Sequence, residues 1–390
     1  MKVLYILNRT PRLSGSFKAF LAMLDGLKGM GVEPLLVVPR DPVQDYAEYL
    51  RQRGESVTLM RFRMHTYPNS RTWSQKLLFL PRLLAALCVN YVAEIRLAKM
   101  FEGKGIQLVH TNVGLLNLGW RVARRLGVPH VQHIREFGER QFPTREAFIR
   151  RMQRPDSYSI CITKAVQRNF HLEGTSTSRV IYDGVHSHEG QLPWKESLGN
   201  LLFVGMVHPS KGMDQVVDAY CLYAHLQKQA GRPVLPLKVA GSIPDKTFWA
   251  SLISQLKSEG LEENVTFLGA RSDVESLMRD ANAVVVASPV EGFGLCMPEA
   301  MFCGTLVIGR NVSGTREQMD NGFSLTGQEI ALRYDSAEEL ARCFRQVAEG
   351  YADYDAMRQR AFRVVNELYT HEGHARRVFD FYKKIIREWK

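Results

Sequence analysis

"ANAVVVASPVEGFGLCMPEA", residues 281–300, joins a short apolar run rich in β-branched residues to a glycine loop, and then to a segment whose Pro298 suits a helix's first turn but not its interior. The stretch therefore reads as strand, loop and helix start. That order directs first-turn N–H groups and the positive end of a helix dipole into the gap left by Gly292 and Gly294, where an anion fits. Glu291 and Glu299 flank the gap. Carboxylates repel an anion, so the pair is read as accepting hydrogen bonds from hydroxyl groups carried by the same ligand. A ligand with both hydroxyls and phosphate is a nucleotide or a sugar phosphate.

The same alternation runs outward through the chain. In the first half the strand-like runs are "KVLYIL", "PLLVVP", "VTLMRF", "IQLVHT", "HVQHI" and "YSICIT", closed by "RVIYDG"; in the second they are "LLFVGM", "LKVAG", "NVTFLG", "AVVVAS" and "TLVIG". Near-continuous apolar strands separated by helix-length segments predict two parallel sheets, each covered on both faces. Phe17, Phe20, Leu21, Leu24 and Leu27 recur at helical spacing behind the first strand. Periodicity lapses in "HSHEGQLPWKESLG", residues 186–199, which is read as the linker. The expected domains are 1–190 and 191–370, with 371–390 a helix reaching back onto the first. A chain of 390 residues suits two cores.

Composition narrows the classes. Hydrophobic content of 45% with 10% aromatics supports packed cores. Cys88, Cys161, Cys221, Cys296, Cys303 and Cys343 lack CxxC or Cys/His spacing, which argues against a disulfide framework and a zinc site. Cys296 is read as a small filler rather than a nucleophile. The start "MKVLYILNRT" carries a strand-sized apolar run and no secretory pattern, so a cytoplasmic protein is expected. Residues 1–195 hold 29 Lys and Arg against 15 Asp and Glu, and the remainder 22 against 25, so the basic excess lies entirely in the first half. Nucleic acid, an anionic membrane surface, an anionic substrate and a merely solvated face all fit such an excess. No helix-turn-helix, zinc-finger or RNP-like motif favours nucleic acid. Residues 77–93, "LLFLPRLLAALCVNYVA", are interrupted by Pro81, Arg82 and Asn90 and fall short of a spanning helix; a buried helix and an interfacial amphipathic one both fit.

Three stretches fall at the carboxyl ends of strands, where doubly wound sheets bind ligands. "ILNRTPRLSGS" brings Gly15, between Ser14 and Ser16, to the opening of a helix. "FVGMVHPSKGMD" places Lys211 beside Gly212 like a phosphate-holding lysine. "EGFGLCMPEA" is the third. In "HVQHIRE", strand alternation puts His133 and Arg135 on one face. His110 and Asn112 end the run "IQLVHTN", with Asn112 read as a helix cap.

The runs "FVGMVHPSKGMDQVVDAY" and "VTFLGARSDVESLMRDANAVVVASPVEGFGLCMPEAMFCGTLVIGRNVSGTREQM" resemble the donor-binding half of glycosyltransferase family 4. "LVHTNVGLLNLGWRVARRLGVPHVQHIREFGE" and "VIYDGV" extend the likeness over most of the chain. The resemblance implies the GT-B architecture, two Rossmann-like α/β domains facing across a cleft, and retaining transfer from a nucleotide sugar, here a UDP- or GDP-sugar, with no metal required. It implies that Glu299 holds the ribose diol and Glu291 a hydroxyl of the transferred sugar. The backbone at Gly292, Phe293, Gly294 and Leu295 would meet sugar and diphosphate with Lys211 and Gly15, and the surroundings of Gly241 and Arg271 would meet the base. His133 and Arg135 would be the catalytic candidates of the first domain, the family often carrying a histidine where Arg135 stands and Glu136 taking the usual acid's place. Met206 replaces the family's arginine after the turn glycine, leaving Lys211, Arg9, Arg12 or Arg271 to neutralise the diphosphate. The implied acceptor is a glycan or lipid-linked glycan of cell-surface synthesis, met peripherally at the inner face of an anionic membrane. A non-catalytic sugar-nucleotide-binding partner and a nucleotide-sugar epimerase remain open alternatives.

Overall fold

The computed structural model describes residues 1–8, 15–40, 45–64, 77–138, 145–192, 199–350 and 353–389. The chain divides into two units, Met1–Gly184 with His371–Lys390, and Val185–Thr370. The division falls just ahead of the aperiodic stretch at 186–199. The reason is local pairing: Val185 N donates to Tyr369 O, His186 bridges Thr370, and Glu189 N donates to Asn366 Oδ1, so the segment belongs to the second unit before its pattern lapses.

In the first unit seven parallel strands run in the order β3-β2-β1-β4-β5-β6-β7. They are β1 (Lys2–Ile6), β2 (Glu33–Pro39), β3 (Ser56–Met60), β4 (Leu108–Thr111), β5 (His130–Ile134), β6 (Tyr158–Cys161) and β7 (Ser178–Val180). Parallel pairing requires crossovers, supplied here by α1 (Gly15–Gly29), α2 (Asp45–Gln52), α3 (Phe79–Phe101), α4 (Leu118–Leu126), α5 (Arg145–Met152) and α6 (Lys164–Asn169). The five apolar residues predicted for the inner face of α1 are all buried against the sheet. The stretch 77–93 falls in a helix, as both of its readings required: Pro81 sits in the first turn of α3, where a missing N–H costs nothing, and the helix continues through Arg82 and Asn90.

The second unit has six parallel strands in the order β10-β9-β8-β11-β12-β13. They are β8 (Leu201–Val204), β9 (Leu237–Ala240), β10 (Val265–Gly269), β11 (Ala283–Val286), β12 (Leu306–Arg310) and β13 (Leu332–Tyr334). The helices are α7 (Met213–Gln229), α8 (Lys246–Ser258), α9 (Val274–Asp280), α10 (Cys296–Phe302), α11 (Ser313–Thr326), α12 (Ala337–Ala348) and α13 (Tyr354–Leu368). In each sheet the chain winds outward from a central strand to one edge, then returns to build the other. The switch points lie between β1 and β4 and between β8 and β11.

From Ala337 onward the chain is helical through α12, α13 and a last helix, α14 (His371–Glu388), which belongs to the first unit. Val378, Phe381, Tyr382 and Ile385 of α14 join the core of β1 and α1. The helices approach so closely that a Cβ on Gly26 would stand 2.5 Å from Ala375 Cβ.

The first unit buries four histidines: His110 and His133 against α14, His374 on α14 itself, and His130 on the other face of the sheet beside Gly119 of α4. The His110 ring meets the Tyr382 hydroxyl at 2.6 Å, His130 Nε2 meets Thr111 Oγ1 at 2.8 Å, and His374 Nδ1 lies 2.6 Å from Tyr182 O. Burial lowers their basicity, with the Arg135 guanidinium adding to the effect on His110, His133 and His374 and Arg151 doing so for His130. His110 is pushed down to about 3 and His374 to about 4, while His130 and His133 lie well below the usual range. A base held neutral in the folded state binds more protons when unfolded, so stability is full above the unfolded value near 6.5 and falls as pH drops below it. Lowering the pH from 7 to 5 should cost about 1–2 kcal/mol per histidine, concentrated in the first unit. Hydrogen exchange read by mass spectrometry at the two pH values checks this: protection in β4 and β5 should fall further than in β8 and β11, and equal losses would contradict it.

Candidate functional site

The site grows from the switch point of the second unit, where the chain leaves the carboxyl ends of β8 and β11. After β8 it turns through Gly205, at φ 156°, and a short 3-10 turn, Pro209–Lys211, that the His208 side chain caps by accepting from Ser210 N. Gly212 ends that turn at φ 72°. A Cβ on Gly212 would lie 2.1 Å from Ala287 O, and one on Gly241, at the end of β9, would lie 1.7 Å from Gly205 O. Neither position admits a side chain. Both glycines therefore bring backbone against backbone at the mouth of the sheet.

The loop after β11 meets this turn directly. Lys211 Nζ donates to Glu291 Oε1 at 2.6 Å, both side chains being partly exposed, so an ammonium and a carboxylate stand side by side across the switch point. Gly294 takes φ 86° and Met297 N donates to Gly294 O, which starts α10. No side chain caps that helix. With only seven residues it contributes through its first-turn N–H groups more than through an accumulated dipole. Glu299 lies half-buried between the buried Pro298 and Ala300, in the first turn. Burial, with Glu299 and Glu291 nearby, pushes the Cys296 thiol up, so it stays protonated and is no nucleophile.

A second glycine contact fixes the loop from behind. Gly314 N donates to Glu291 O at 3.0 Å, and a Cβ on Gly314 would fall 2.6 Å from Gly292 O. Gln318 Nε2 of α11 donates to the carbonyls of Phe293 and Gly294, and the Phe293 ring packs edge-on against Tyr369. Gly314, Gln318 and the switch-point role of Gly212 were not legible as site residues. The available signal was positional: each belongs to a segment leaving the carboxyl end of a strand. Arg310, ending β12, was also missed; its Nη1 reaches Ala287 O at 3.4 Å, the same carbonyl that crowds Gly212.

The remaining predicted residues are distributed differently. Arg271 is paired through two nitrogens with the Asp273 carboxylate on an exposed turn. Gly15 opens α1, while Arg9 and Arg12 lie outside the described residues. Met206 is exposed. In the first unit His133 is fully buried, and neither ring nitrogen has a hydrogen-bond partner among the described residues. Arg135 is clamped: it donates through Nη1 to Asp183 and through Nε to Asn112 Oδ1 at 3.1 Å. Asn112 thus serves Arg135 rather than capping a helix, and Asn117 occupies the cap position of α4. Among the described residues no group of three or more His, Cys, Asp or Glu side chains is gathered as a metal ion would need.

Sequence comparison assigns this arrangement to a family. Residues 14–182 match the model of the glycosyl transferase 4-like domain and residues 187–364 that of glycosyl transferases group 1, so both units are covered. The chain belongs to the family 4-like glycosyltransferases. The chain is 25% identical over 235 residues to an uncharacterized glycosyltransferase of Methanocaldococcus jannaschii, a match covering 58% of the chain and 62% of the relative. It is 32% identical over 148 residues to the D-inositol 3-phosphate glycosyltransferase of Mycobacterium tuberculosis, covering 36% of the chain and 29% of that protein. The matches thus span less than two thirds of these curated relatives. Among solved structures, Anabaena HepE in complex with UDP superposes with a TM-score of 0.76 at 18% identity, covering 98% of this chain and 100% of that one. A glycosyltransferase from Rickettsia africae superposes with a TM-score of 0.76 at 16% identity, covering 99% and 98%. The fold is the GT-B fold of those enzymes.

The glycine contacts yield a direct test. Gly212→Ala adds a Cβ where a carbonyl already stands and forces an alanine to positive φ, which should destabilise the second unit by about 2–4 kcal/mol. Urea unfolding followed by circular dichroism reads this, and an unchanged midpoint would show that the turn does not press on Ala287.

Proposed function

We propose that the protein is a retaining glycosyltransferase that moves a sugar from a nucleotide-sugar donor to a glycan or lipid-linked glycan acceptor in cell-surface glycan synthesis. The observation that carries this reading is the Lys211–Glu291 pair at the switch point, with Glu299 one helical turn beyond the glycine loop. A ligand bearing a diphosphate and two sets of hydroxyls uses all of it. Lys211 and the N–H groups of Gly294 and Leu295 face the diphosphate; Glu291 accepts from a hydroxyl of the transferred sugar; Glu299 accepts from the ribose diol.

The reaction breaks the bond between the anomeric carbon and the diphosphate oxygen and forms one to an acceptor hydroxyl on the same face, whose proton passes to the departing diphosphate. Its barrier is dominated by negative charge on the departing diphosphate. A lysine and preset N–H groups stabilise that charge through the protein alone. Lys211 exchanges part of its bond to Glu291 for the leaving group, and Glu291 is then freed to accept from the sugar. With Met206 in place of an arginine, Lys211 carries more of this neutralisation. The neighbours solved with UDP and with UDP-glucose support a nucleotide-sugar donor of the uridine class.

A basic first half supports an acceptor bearing phosphate, presented at the inner face of an anionic membrane. His133 and Arg135 are the acceptor-side candidates. The clamp on Arg135 by Asp183 and Asn112 favours a positioning role for it, with His133 the group that retains hydrogen-bonding capacity. Both carboxylates and the lysine are in place, which argues against a non-catalytic partner.

Two substitutions test the donor site. Glu299→Ala should weaken binding of the nucleoside diphosphate by about 1–3 kcal/mol, because the diol loses a charged acceptor; the check is calorimetry with UDP and GDP, and unchanged affinity would remove Glu299 from the ribose. Lys211→Ala should lower turnover by about 2–4 kcal/mol in the activation barrier with a smaller effect on donor affinity. Hydrolysis of UDP-sugars in the absence of acceptor reads that rate, and wild-type turnover would move the leaving-group role elsewhere.

A further inference from the structure

A polar row crosses the face of the first sheet that α4 and α5 cover. Thr111 of β4, Gln132 of β5 and Ser159 of β6 are register partners in turn, so their side chains point to the same side, and two residues earlier His130 and Ser157 stand level with each other. All five are buried, where a parallel sheet ordinarily presents apolar residues to its helices. Helix α4 closes on the row so tightly that a Cβ on Gly119 would lie 1.9 Å from Thr111 Oγ1. From α5 comes Arg151, also buried, whose Nη2 donates to Gln132 Oε1 at 2.9 Å.

A buried guanidinium is ordinarily met by a carboxylate, because a charge taken out of water unpaired is costly. Among the described residues no carboxylate pairs with Arg151. The one that acts on it from a distance is Asp156, which is partly exposed and held by Arg154 at 3.0 Å. The ring centres of Phe148 and Trp120 lie 4.4 and 5.4 Å from its guanidinium carbon, which covers the faces of the cation and leaves its edge. On that edge Nε and Nη1 have no hydrogen-bond partner among the described residues. Burial pushes the guanidinium down to about 9, the direction expected of a charge lacking a counter-ion.

Three further groups of the same row lack a partner among the described residues: His130 Nδ1, Ser157 Oγ and Ser159 Oγ. His130 is near enough for the Arg151 charge to lower its basicity. Thr111 Oγ1 holds its Nε2 at 2.8 Å, and when that hydroxyl donates, Nδ1 carries the proton. Every one of these groups can then donate a hydrogen bond, while the amide oxygen of the row is already taken by Arg151. Donors gathered around an uncompensated cation make an anion site. A water molecule can bridge such donors but leaves the charge uncompensated, whereas a halide does both. The atoms are sealed from solvent, which suits a small inorganic anion and not a phosphate ester.

We propose that the first unit holds a buried halide ion between Arg151, His130, Ser157 and Ser159. Its effect reaches the switch point of that sheet. Arg151 holds Gln132, and Gln132 Nε2 donates to Val113 O in the loop that leaves β4, next to the Asn112 that holds Arg135. The ion thereby ties α5, β5 and the β4–α4 loop into one arrangement. The site is independent of the donor site and of the transfer reaction.

The test uses the full chain, purified without halide. An ion released on unfolding raises the melting temperature with the logarithm of its concentration, however tightly it binds. Sodium chloride replacing sodium gluconate at fixed ionic strength should therefore raise the wild-type melting temperature by about 2–5 °C per tenfold increase in chloride. Arg151→Met, which keeps an unbranched stem, should abolish the rise. Ser159→Ala, which removes one hydroxyl, should delay it to about tenfold higher chloride, and it carries the comparison if Arg151→Met does not fold. Anomalous diffraction from crystals grown in sodium bromide should show a peak beside Arg151 Nε. Equal melting temperatures in chloride and gluconate overturn the proposal, and so does a rise that the wild type shares unchanged with either variant, which reports a general salt effect. Density beside Arg151 without anomalous signal also overturns it and assigns the place to water.

Discussion

The second unit depends on a place where two backbones touch. At its switch point β8 and β11 are neighbours, yet the chain leaves them toward opposite edges of the sheet, so a crevice opens between their loops. Gly212 lets the loops after β8 and β11 close over that crevice without a side chain, against Ala287 O, while Gly241, at the end of β9, backs the β8 loop against Gly205 O from the other side. Gly314 clamps the glycine loop from the other side. Given these approaches, Lys211 and Glu291, eighty positions apart, arrive within 2.6 Å of each other. A side chain at any of the glycines would separate the loops and with them the charges.

The same topology in the first unit is held by different means. There the switch-point strand β4 carries His110, β5 carries His130 and His133, and α14 returns to add His374 and Tyr382. These side chains are kept neutral by burial and by nearby guanidinium groups. Arg135 is the cation at the centre of the cluster, held by Asp183 and Asn112. A polar core of this kind fixes the register of α14 on the unit more narrowly than apolar packing would, because the Tyr382 hydroxyl must meet the His110 ring and His374 Nδ1 must meet Tyr182 O. It also makes that unit the acid-sensitive one.

The outer face of α3 follows the opposite logic. Its apolar residues are spaced as a core stripe would be, but they are exposed, and the one carboxylate within the helix, Glu94, is turned inward to Arg121 and Arg125. From composition the basic excess admitted nucleic acid, membrane, substrate or plain solvent.

How much could be read from the chain alone follows from what is local. Strand-sized β-branched runs, helix periodicity behind them and glycine loops after them are properties of a few neighbouring residues, and they sufficed for two doubly wound sheets and for Glu291, Glu299 and Lys211 as residues at strand ends. The stretch 77–93 shows the limit: it read as a helix, buried or interfacial, and only the packing of α3 decides which of its residues are covered. The pairing of Lys211 with Glu291, the clamp on Arg135, the support of the loop by Gly314 and Gln318, and the return of α14 join positions far apart in the chain. Such contacts are set by how strands are ordered and how closely backbones pass, and no periodicity or spacing encodes the distance between two loops. The sequence by itself therefore determined the elements and the chemistry available at their ends, while the tertiary structure decided which of those groups meet, because only strand order brings them to one place.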